Sequence, residues 1–201
     1  MASPADESPA VDYVFGYGSL VELKQPLTVA GRLYPAVPGR LHGFRRRWAV
    51  AMNNWETSDA QKHFLDPESG LKPRVAVAYL DIEEAAGEAV NGLAIPVDAD
   101  RLAELDRREG NYRRLDVSAA FEPAIAHTVF AFRGTEAARA RAAENGEPIY
   151  VSRQYAERVR RAFVALGPDQ LAEYERTTEP PPFAERELEP RYPPPPADGV
   201  A

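Results

Sequence analysis

The sequence contains no cysteine, has an excess of acidic residues and lacks long apolar runs, and each of these features excludes a class of protein. Without cysteine there are no disulfides, catalytic thiolates or cysteine-ligated metals. The formal net charge of -7 argues against broad nucleic-acid binding. No apolar run is long enough to span a bilayer, and residues 1–12 are too polar for a secretory signal. We therefore expect a soluble, cytoplasmic protein, monomeric or homodimeric, that binds neither nucleic acid nor membranes.

What remains is the composition of a single globular domain. The chain has 201 residues, of which 44% are hydrophobic and 27% are charged. Residues 1–11 are rich in alanine, serine, proline and acid, which predicts a flexible N-terminal tail. Proline dominates from residue 179 onward, which favours an extended, disordered tail over 179–201. The domain itself is predicted over residues 12–178.

The order of apolar patterns predicts strands first and helices mainly at the end. The expected strands include residues 13–17, 41–52, 74–82 and 89–97, and the last two form a hairpin with a turn at 83–88. Helices are expected from Asp98 to Arg107 and from Ser152 to Leu166. Strand and helix do not alternate regularly, so a doubly wound parallel sheet is excluded. The predicted fold is α+β, a small mixed, mostly antiparallel β-barrel with flanking helices.

Two polar stretches receive ordinary structural interpretations. Residues 53–72 read as a surface loop, with His63 exposed to solvent. The triplet Arg45, Arg46 and Arg47 lies inside an apolar stretch, which is more typical of a solvated strand face or a single anion site than of nucleic-acid binding.

The stretch Val-Phe-Gly-Tyr-Gly-Ser-Leu at residues 14–20 is the first candidate for chemistry. Gly16 and Gly18 interrupt a short apolar strand and permit backbone torsions that a side chain forbids. Glycines at a strand end also leave amide groups uncovered, and these can hold a carboxylate or a developing oxyanion. The alternative is an ordinary strand followed by a glycine turn.

The second candidate is Glu109, which follows a predicted helix and precedes Gly110. A carboxylate held between a helix end and a strand is suited to proton transfer. The alternative is a glutamate at a helix end that only pairs with a neighbouring arginine.

Other reaction classes lack their residues. A Ser19 nucleophile needs a histidine base, and none of the three histidines stands in a recognisable arrangement with it. No lysine follows the glycines as in a P-loop, and the longer glycine spacing of a dinucleotide site is absent. Histidine and carboxylate residues show no metal-ligand spacing, so no catalytic metal is expected.

With the two candidates taken together, residues 13–166 resemble the γ-glutamylcyclotransferases. The resemblance rests on the loop at 14–20 followed by Glu109-Gly110-x-Tyr112. Three further segments resemble the glutathione-degrading ChaC branch: Gly-Phe-Arg-Arg-Arg-Trp at 43–48, Lys-Pro-Arg-Val at 72–75 and Gly-Leu-Ala at 92–94. Ser-Arg-Gln-Tyr at 152–155 resembles the start of the family's late helix.

The resemblance implies a lyase-type reaction that needs no cofactor. The substrate's own α-amine attacks its γ-amide carbonyl, which releases 5-oxoproline and a free amine or peptide. Glu109 matches the general acid/base of the family. Substrate binding is assigned by the resemblance to Tyr17, Gly18, Ser19, Leu20, Tyr112, Tyr155 and Arg46.

Departures from the family pattern leave the leaving group open. Val21-Glu22 follows Ser19-Leu20, where the glutathione branch usually has Ile-Trp, and another familiar branch has asparagine after the serine. The leaving group is then cysteinylglycine, another amino acid or a γ-glutamyl-linked amine. One alternative is a biosynthetic enzyme that removes a γ-glutamyl protecting group. The other is a catalytically silent module that binds a γ-glutamyl metabolite or a partner.

Overall fold

The structure is a computed structural model that describes residues 11–58 and 61–192. The strands are β1 (Asp12–Gly16), β2 (Leu27–Val29), β3 (Arg32–Tyr34), β4 (Val37–Asn53), β5 (His63–Leu65), β6 (Ala76–Val97), β7 (Tyr112–Asp116), β8 (Phe121–Glu122), β9 (Val129–Gly134), β10 (Ile149–Ser152), β11 (Ala184–Arg186) and β12 (Glu189–Arg191). The α-helices are α1 (Ala99–Arg108), α2 (Glu136–Ala143), α3 (Arg153–Val164) and α4 (Pro168–Thr177).

Two long antiparallel strands, β4 and β6, form the centre of the main sheet. β6 also pairs antiparallel with β1 and parallel with β10, and β1 continues in parallel to β9. β7 completes that edge by antiparallel pairing with β9. A long strand that pairs with several neighbours bends and twists along its length. The result is a curled, mixed sheet with helices packed against it. The predicted α+β class with a mostly antiparallel curled sheet is confirmed.

The predicted hairpin over residues 74–97 is wrong. Its two halves belong to one strand, β6, and both pair with β4 rather than with each other. Ala89 lies opposite His42 while Glu84 lies opposite Phe44, so residues 85–88 bulge out of the ladder. The acidic, glycine-containing stretch that reads as a turn is therefore a bulge, where Gly87 adopts a φ of +83°.

The basic triplet of β4 alternates between the two faces of the sheet. Arg45 and Arg47 both pair with Glu83 on the outer face, which matches the predicted solvated strand face. Arg46 points the other way and is fully buried. Successive side chains of a strand face opposite sides, so neighbouring arginines have different roles here.

Helix α1 begins with a side-chain cap, because Asp98 accepts a hydrogen bond from the Arg101 amide at 2.8 Å. Its buried positions, Leu102 and Leu105, face the sheet. Glu109 is the C-cap residue, with φ -90° and ψ 42°, so the chain leaves the helix there and turns into β7. This turn fixes where the Glu109 carboxylate can lie.

The C-terminal segment departs from its predicted disorder. β11 pairs in parallel with β10, and β12 pairs antiparallel with β5. Leu188, between them, is fully buried in a core with Val50 and Phe64. The buried Leu188 and the two strand pairings thus hold in place a segment that its proline content predicts to be a disordered tail. Residues 1–10 and 193–201 of the predicted tails lie outside the described residues, and the domain boundaries stay predictions.

The same pairing overturns the expected exposure of His63. It lies in β5, and its side chain is buried. Within the part of the chain that the structure describes, no helix is both long and apolar enough to cross a membrane.

Candidate active site

The glycine loop after β1 is held by its tyrosine. Tyr17 is buried and its hydroxyl donates a hydrogen bond to the Phe132 carbonyl of β9. A short 3-10 helix, Ser19–Leu23, follows directly, with Gly18 at its N-cap position. Its first hydrogen bond runs from the Val21 amide to the Gly18 carbonyl at 3.1 Å. Amides at the start of a helix have no acceptor within it, so this turn offers donors to a ligand.

Two close approaches explain why glycine occupies this part of the fold. A Cβ atom on Gly92 of β6 would lie 2.3 Å from the Gly16 carbonyl oxygen, which is impossibly close. A Cβ atom on Gly18 would lie 3.3 Å from the Tyr155 hydroxyl oxygen. The absence of side chains therefore lets β6 and helix α3 approach the loop from two sides.

Tyr155 lies against this loop because α3 begins beside it. Ser152 caps the helix by accepting a hydrogen bond from the Tyr155 amide at 3.4 Å. Burial raises the pKa of Tyr155, whose hydroxyl lies within hydrogen-bonding reach of the Ser19 side chain and the Leu80 backbone. Its ring packs edge-on against Tyr79, with the ring centroids 4.9 Å apart.

Tyr112 reaches the same point from β7. Its hydroxyl donates a 2.8 Å hydrogen bond to the Leu80 carbonyl of β6. Burial raises its pKa well above the ordinary tyrosine value, and Tyr17, Tyr155 and Glu109 add to the shift. The structure thus brings Tyr17, Tyr112 and Tyr155 together around the loop.

Glu109 borders this group of tyrosines. Its side chain is 20% exposed. Burial raises the pKa values of four nearby tyrosines, and the negative charge of Glu109 raises them further. These are Tyr17, Tyr79, Tyr112 and Tyr155. The carboxylate therefore lies within electrostatic reach of the side chains that pack on the glycine loop.

An arginine also pairs with Glu109, as the alternative interpretation of this residue expects. Arg108 contacts the carboxylate through Nε and Nη2, both at 3.0 Å from Oε1. Among residues 11–58 and 61–192, no hydrogen bond is donated to Oε2. An ion pair through Oε1 alone, on a part-exposed carboxylate, contributes little to stability and leaves Oε2 able to exchange a proton.

Arg46 is also within electrostatic reach of Tyr17 and Tyr155, but its guanidinium is packed against other residues. Its guanidinium lies over the rings of Tyr174 and Phe163, at 4.8 and 5.2 Å from their centroids. It donates to the Thr178 hydroxyl at 2.9 Å and to the Asn91 carbonyl. Burial lowers its pKa to about 10. The head group thus joins β4 and β6 to α4, and the role of Arg46 in substrate binding stays a prediction.

A cavity of about 310 Å³ lies beside Tyr155. Its walls include Lys62, Phe64, Tyr155, Arg158, Arg161 and Tyr192. The lysine comes from the segment predicted as a surface loop, and Tyr192 comes from the predicted tail. Sequence reasoning missed both, and it also missed Tyr79. Only Arg158 could have been predicted from the sequence, because it lies three residues after Tyr155 and therefore on the same face of the helix.

A second cavity of about 290 Å³ lies on the other side of the loop, against Val14, Leu20 and Leu105. Both charged residues that line it already form interactions within the protein: Asp98 caps α1, and Arg101 pairs with Glu104. This apolar cavity offers no acid or base for chemistry. Over the described ranges, no cluster of three or more histidine, aspartate and glutamate side chains is arranged to hold a metal ion.

Comparison with known proteins shows the fold. No protein-family model and no curated protein sequence matches the chain. A solved structure named gamma-glutamyl cyclotransferase matches with a TM-score of 0.51 and 16% identity, over 88% of this chain and 93% of that one. An uncharacterized protein from Homo sapiens matches with a TM-score of 0.51 and 17% identity, over the same shares. At such identities the likeness establishes the architecture that the sequence predicts.

Proposed function

We propose that the protein is a γ-glutamyl cyclotransferase, which converts a γ-glutamyl peptide or amine into 5-oxoproline and a free amino compound. The observation that carries the proposal is the convergence of the glycine loop and Glu109 on one group of tyrosines, of which Tyr17 is buried and Tyr112 and Tyr155 are half-buried. The fold supports it, because a structure with the same architecture is named gamma-glutamyl cyclotransferase. The order of the loop and of Glu109-Gly110-x-Tyr112 along the chain supports it as well.

In this proposal the substrate's α-amine attacks its own γ-carbonyl carbon. A carbon–nitrogen bond closes the five-membered ring, and the γ-amide bond then breaks. Glu109 accepts the proton that the amine loses and passes it to the leaving nitrogen, so no water, metal or cofactor is consumed. The absence of a hydrogen bond to Oε2 among the described residues and the 20% exposure of the side chain suit this exchange.

The loop has the complementary task of holding charge. Amides at the start of the Ser19–Leu23 turn donate to the oxyanion that forms on the carbonyl oxygen. The tyrosines around the loop limit the access of water and hold the glutamyl chain folded, which brings amine and carbonyl together. Tyr17 and Tyr112 act through position, since each hydroxyl is already used by a backbone carbonyl.

The test is product formation by the purified protein. It is incubated with glutathione, γ-glutamyl-alanine and a γ-glutamyl-lysine derivative, and 5-oxoproline is measured by mass. The proposal predicts product from at least one of them. If a folded protein binds a γ-glutamyl compound tightly but releases no 5-oxoproline from any, the protein is a binding module and the proposal is wrong.

A further inference from the structure

The cavity beside Tyr155 carries an excess of positive charge. Three cationic side chains line it, Lys62, Arg158 and Arg161, against one acidic side chain, Glu157. Arg161 pairs with Glu157 at 3.7 Å, and Arg158 pairs with Glu22. Among residues 11–58 and 61–192, no carboxylate lies within 4 Å of the Lys62 ammonium. The two arginines thus have carboxylate partners, and the charge of Lys62 is the one that no carboxylate of the described residues compensates.

Aromatic rings hold this ammonium in place. Its nitrogen lies 4.7 Å from the ring centroid of Tyr79, 5.4 Å from that of Phe64 and 5.7 Å from that of Tyr192. Such contacts stabilise a cation but leave its hydrogen-bond donors unused. Lysine has three donors, and those that face the cavity can bind an anion.

A buried hydroxyl beside the lysine also lacks a partner. Tyr79 is only 7% exposed, and its hydroxyl forms no hydrogen bond within the part of the chain that the structure describes. A buried polar group without a partner is destabilising, and a ligand that supplies one binds more tightly for that reason. Tyr79 does not itself line the cavity, but its ring contacts the Lys62 ammonium, so an unsatisfied polar group lies next to the uncompensated charge.

The cavity adjoins the proposed reaction centre. Tyr155 lines it and contacts both Ser19 of the loop and Tyr79. Burial lowers the pKa of Lys62 to about 8, and Glu109 opposes that shift, so the carboxylate is within electrostatic reach of the ammonium. A substrate whose γ-carbonyl lies on the loop can therefore direct its leaving part toward Lys62.

We infer that this cavity is the leaving-group subsite, and that Lys62 selects γ-glutamyl substrates whose leaving part carries a carboxylate. Amino acids and short peptides have that group, and simple amines do not. A leaving amine with a second positive charge meets Lys62 and Arg158 at the same wall and is repelled. The inference rests on the proposed function and decides among the leaving groups that the sequence leaves open.

A matched substrate pair tests this inference. γ-Glutamyl-alanine and γ-glutamyl-ethylamine differ only by the carboxylate of the leaving group. We expect wild-type kcat/KM to favour the alanine compound about 10- to 100-fold, which is the worth of a charge-assisted hydrogen bond. Lys62→Met keeps the length of the side chain and removes the charge, and it should reduce the preference to near one, mainly by raising KM. The exposed Lys24 provides a control, and Lys24→Met should keep the full preference.

The outcomes separate the two proposals. Product from both substrates at equal kcat/KM, or a preference that survives Lys62→Met, would overturn the subsite and leave the reaction intact. No 5-oxoproline from these two substrates, from glutathione or from the γ-glutamyl-lysine derivative would overturn the proposed reaction, and the subsite with it. Product from glutathione but not from γ-glutamyl-alanine, whose leaving part also carries a carboxylate, would overturn the subsite alone. Circular dichroism of each variant checks that a lost preference does not reflect lost structure.

Discussion

The two walls of the candidate site differ in how their polar groups are satisfied. On the loop wall, the hydroxyls of Tyr17, Tyr112 and Tyr155 all have protein partners. On the cavity wall, the Lys62 ammonium forms no ion pair with a carboxylate of the described residues, and the hydroxyl of Tyr79, whose ring this ammonium contacts, has no hydrogen-bond partner among them. A satisfied wall is rigid and positions a substrate, whereas an unsatisfied wall gains by binding one. Substitutions in the first should therefore affect stability and activity, and those in the second mainly specificity.

The largest expected effect comes from Asp81 of β6, which follows Leu80, the residue whose carbonyl accepts the Tyr112 hydrogen bond. Its carboxylate is fully buried, pairs with Arg139 at 2.6 Å and accepts a 2.7 Å hydrogen bond from the Gly134 amide. Asp81→Ala leaves both donors without their acceptor and should lower the free energy of unfolding by about 3–5 kcal/mol. Chemical denaturation measures the change.

The control for this prediction is an acidic residue of the same strand with an exposed pair. Glu84 contacts Arg133 at 2.8 Å, but its side chain is 73% exposed. Glu84→Ala should leave the denaturation midpoint nearly unchanged, since exposed pairs contribute little. Equal losses from the two variants would contradict a loop wall that depends on a buried network.

A smaller effect, on activity rather than stability, is expected at Gly18. Alanine there places a Cβ atom 3.3 Å from the Tyr155 hydroxyl oxygen, so that side chain must shift by a few tenths of an ångström. Because catalysis is sensitive to small misplacements, 5-oxoproline release should fall about 10-fold or more.

Gly146→Ala is the matched control for Gly18→Ala, since nothing lies within 4 Å of the added Cβ atom. It should retain wild-type turnover and melting temperature. If both alanine variants are fully active, the loop wall is less constrained than the close approach of Tyr155 indicates.

The smallest effect is the pH dependence of the cavity wall. Burial lowers the pKa of Lys62 to about 8 from 10.5, so its charge is lost as pH rises through 8. The preference for γ-glutamyl-alanine over γ-glutamyl-ethylamine should then decline severalfold between pH 7 and about 9. The two substrates share their α-amine, so its titration cancels in the ratio. The charged and titratable groups that face Lys62 are Tyr79, Tyr192, Glu109, Arg108 and Arg158.

The same shift has a consequence for stability. Between about pH 8 and 10.5 the unfolded chain holds a proton on Lys62 that the folded protein has released. Stability should therefore rise with pH across this window, and Lys62→Met should abolish the rise. A flat preference from pH 7 to 9 in the wild type, or the same slope in the variant, would contradict the role given to Lys62.

The loop wall was predictable because its signals are local. Two glycines at a strand end, a helix that stops at Glu109, and the Ser152 cap that sets Tyr155 each depend on a few neighbouring residues. The curled α+β fold follows from the order of these elements.

The cavity wall was not predictable because distant segments form it. Lys62 lies in a polar stretch beside β5, and β5 is held by β12, more than a hundred residues later. Tyr192 follows β12 in a segment whose prolines suggest disorder. The error at β6 has a similar cause, since pairing with β4 along both halves overrides the local signal for a turn. Arg46 shows another limit, because a motif position does not reveal that the guanidinium stacks on Tyr174 and Phe163 and donates hydrogen bonds to Thr178 and Asn91.

The central claim is that Glu109 moves the proton in a reaction that forms 5-oxoproline, and one measurement tests it most directly. The rate of 5-oxoproline release at saturating substrate is compared between the wild type and Glu109→Gln, which keeps the shape of the side chain and removes its basicity. We predict a rate about 10²- to 10⁴-fold lower with a nearly unchanged melting temperature. A variant that is folded and turns over substrate at the wild-type rate would contradict the claim.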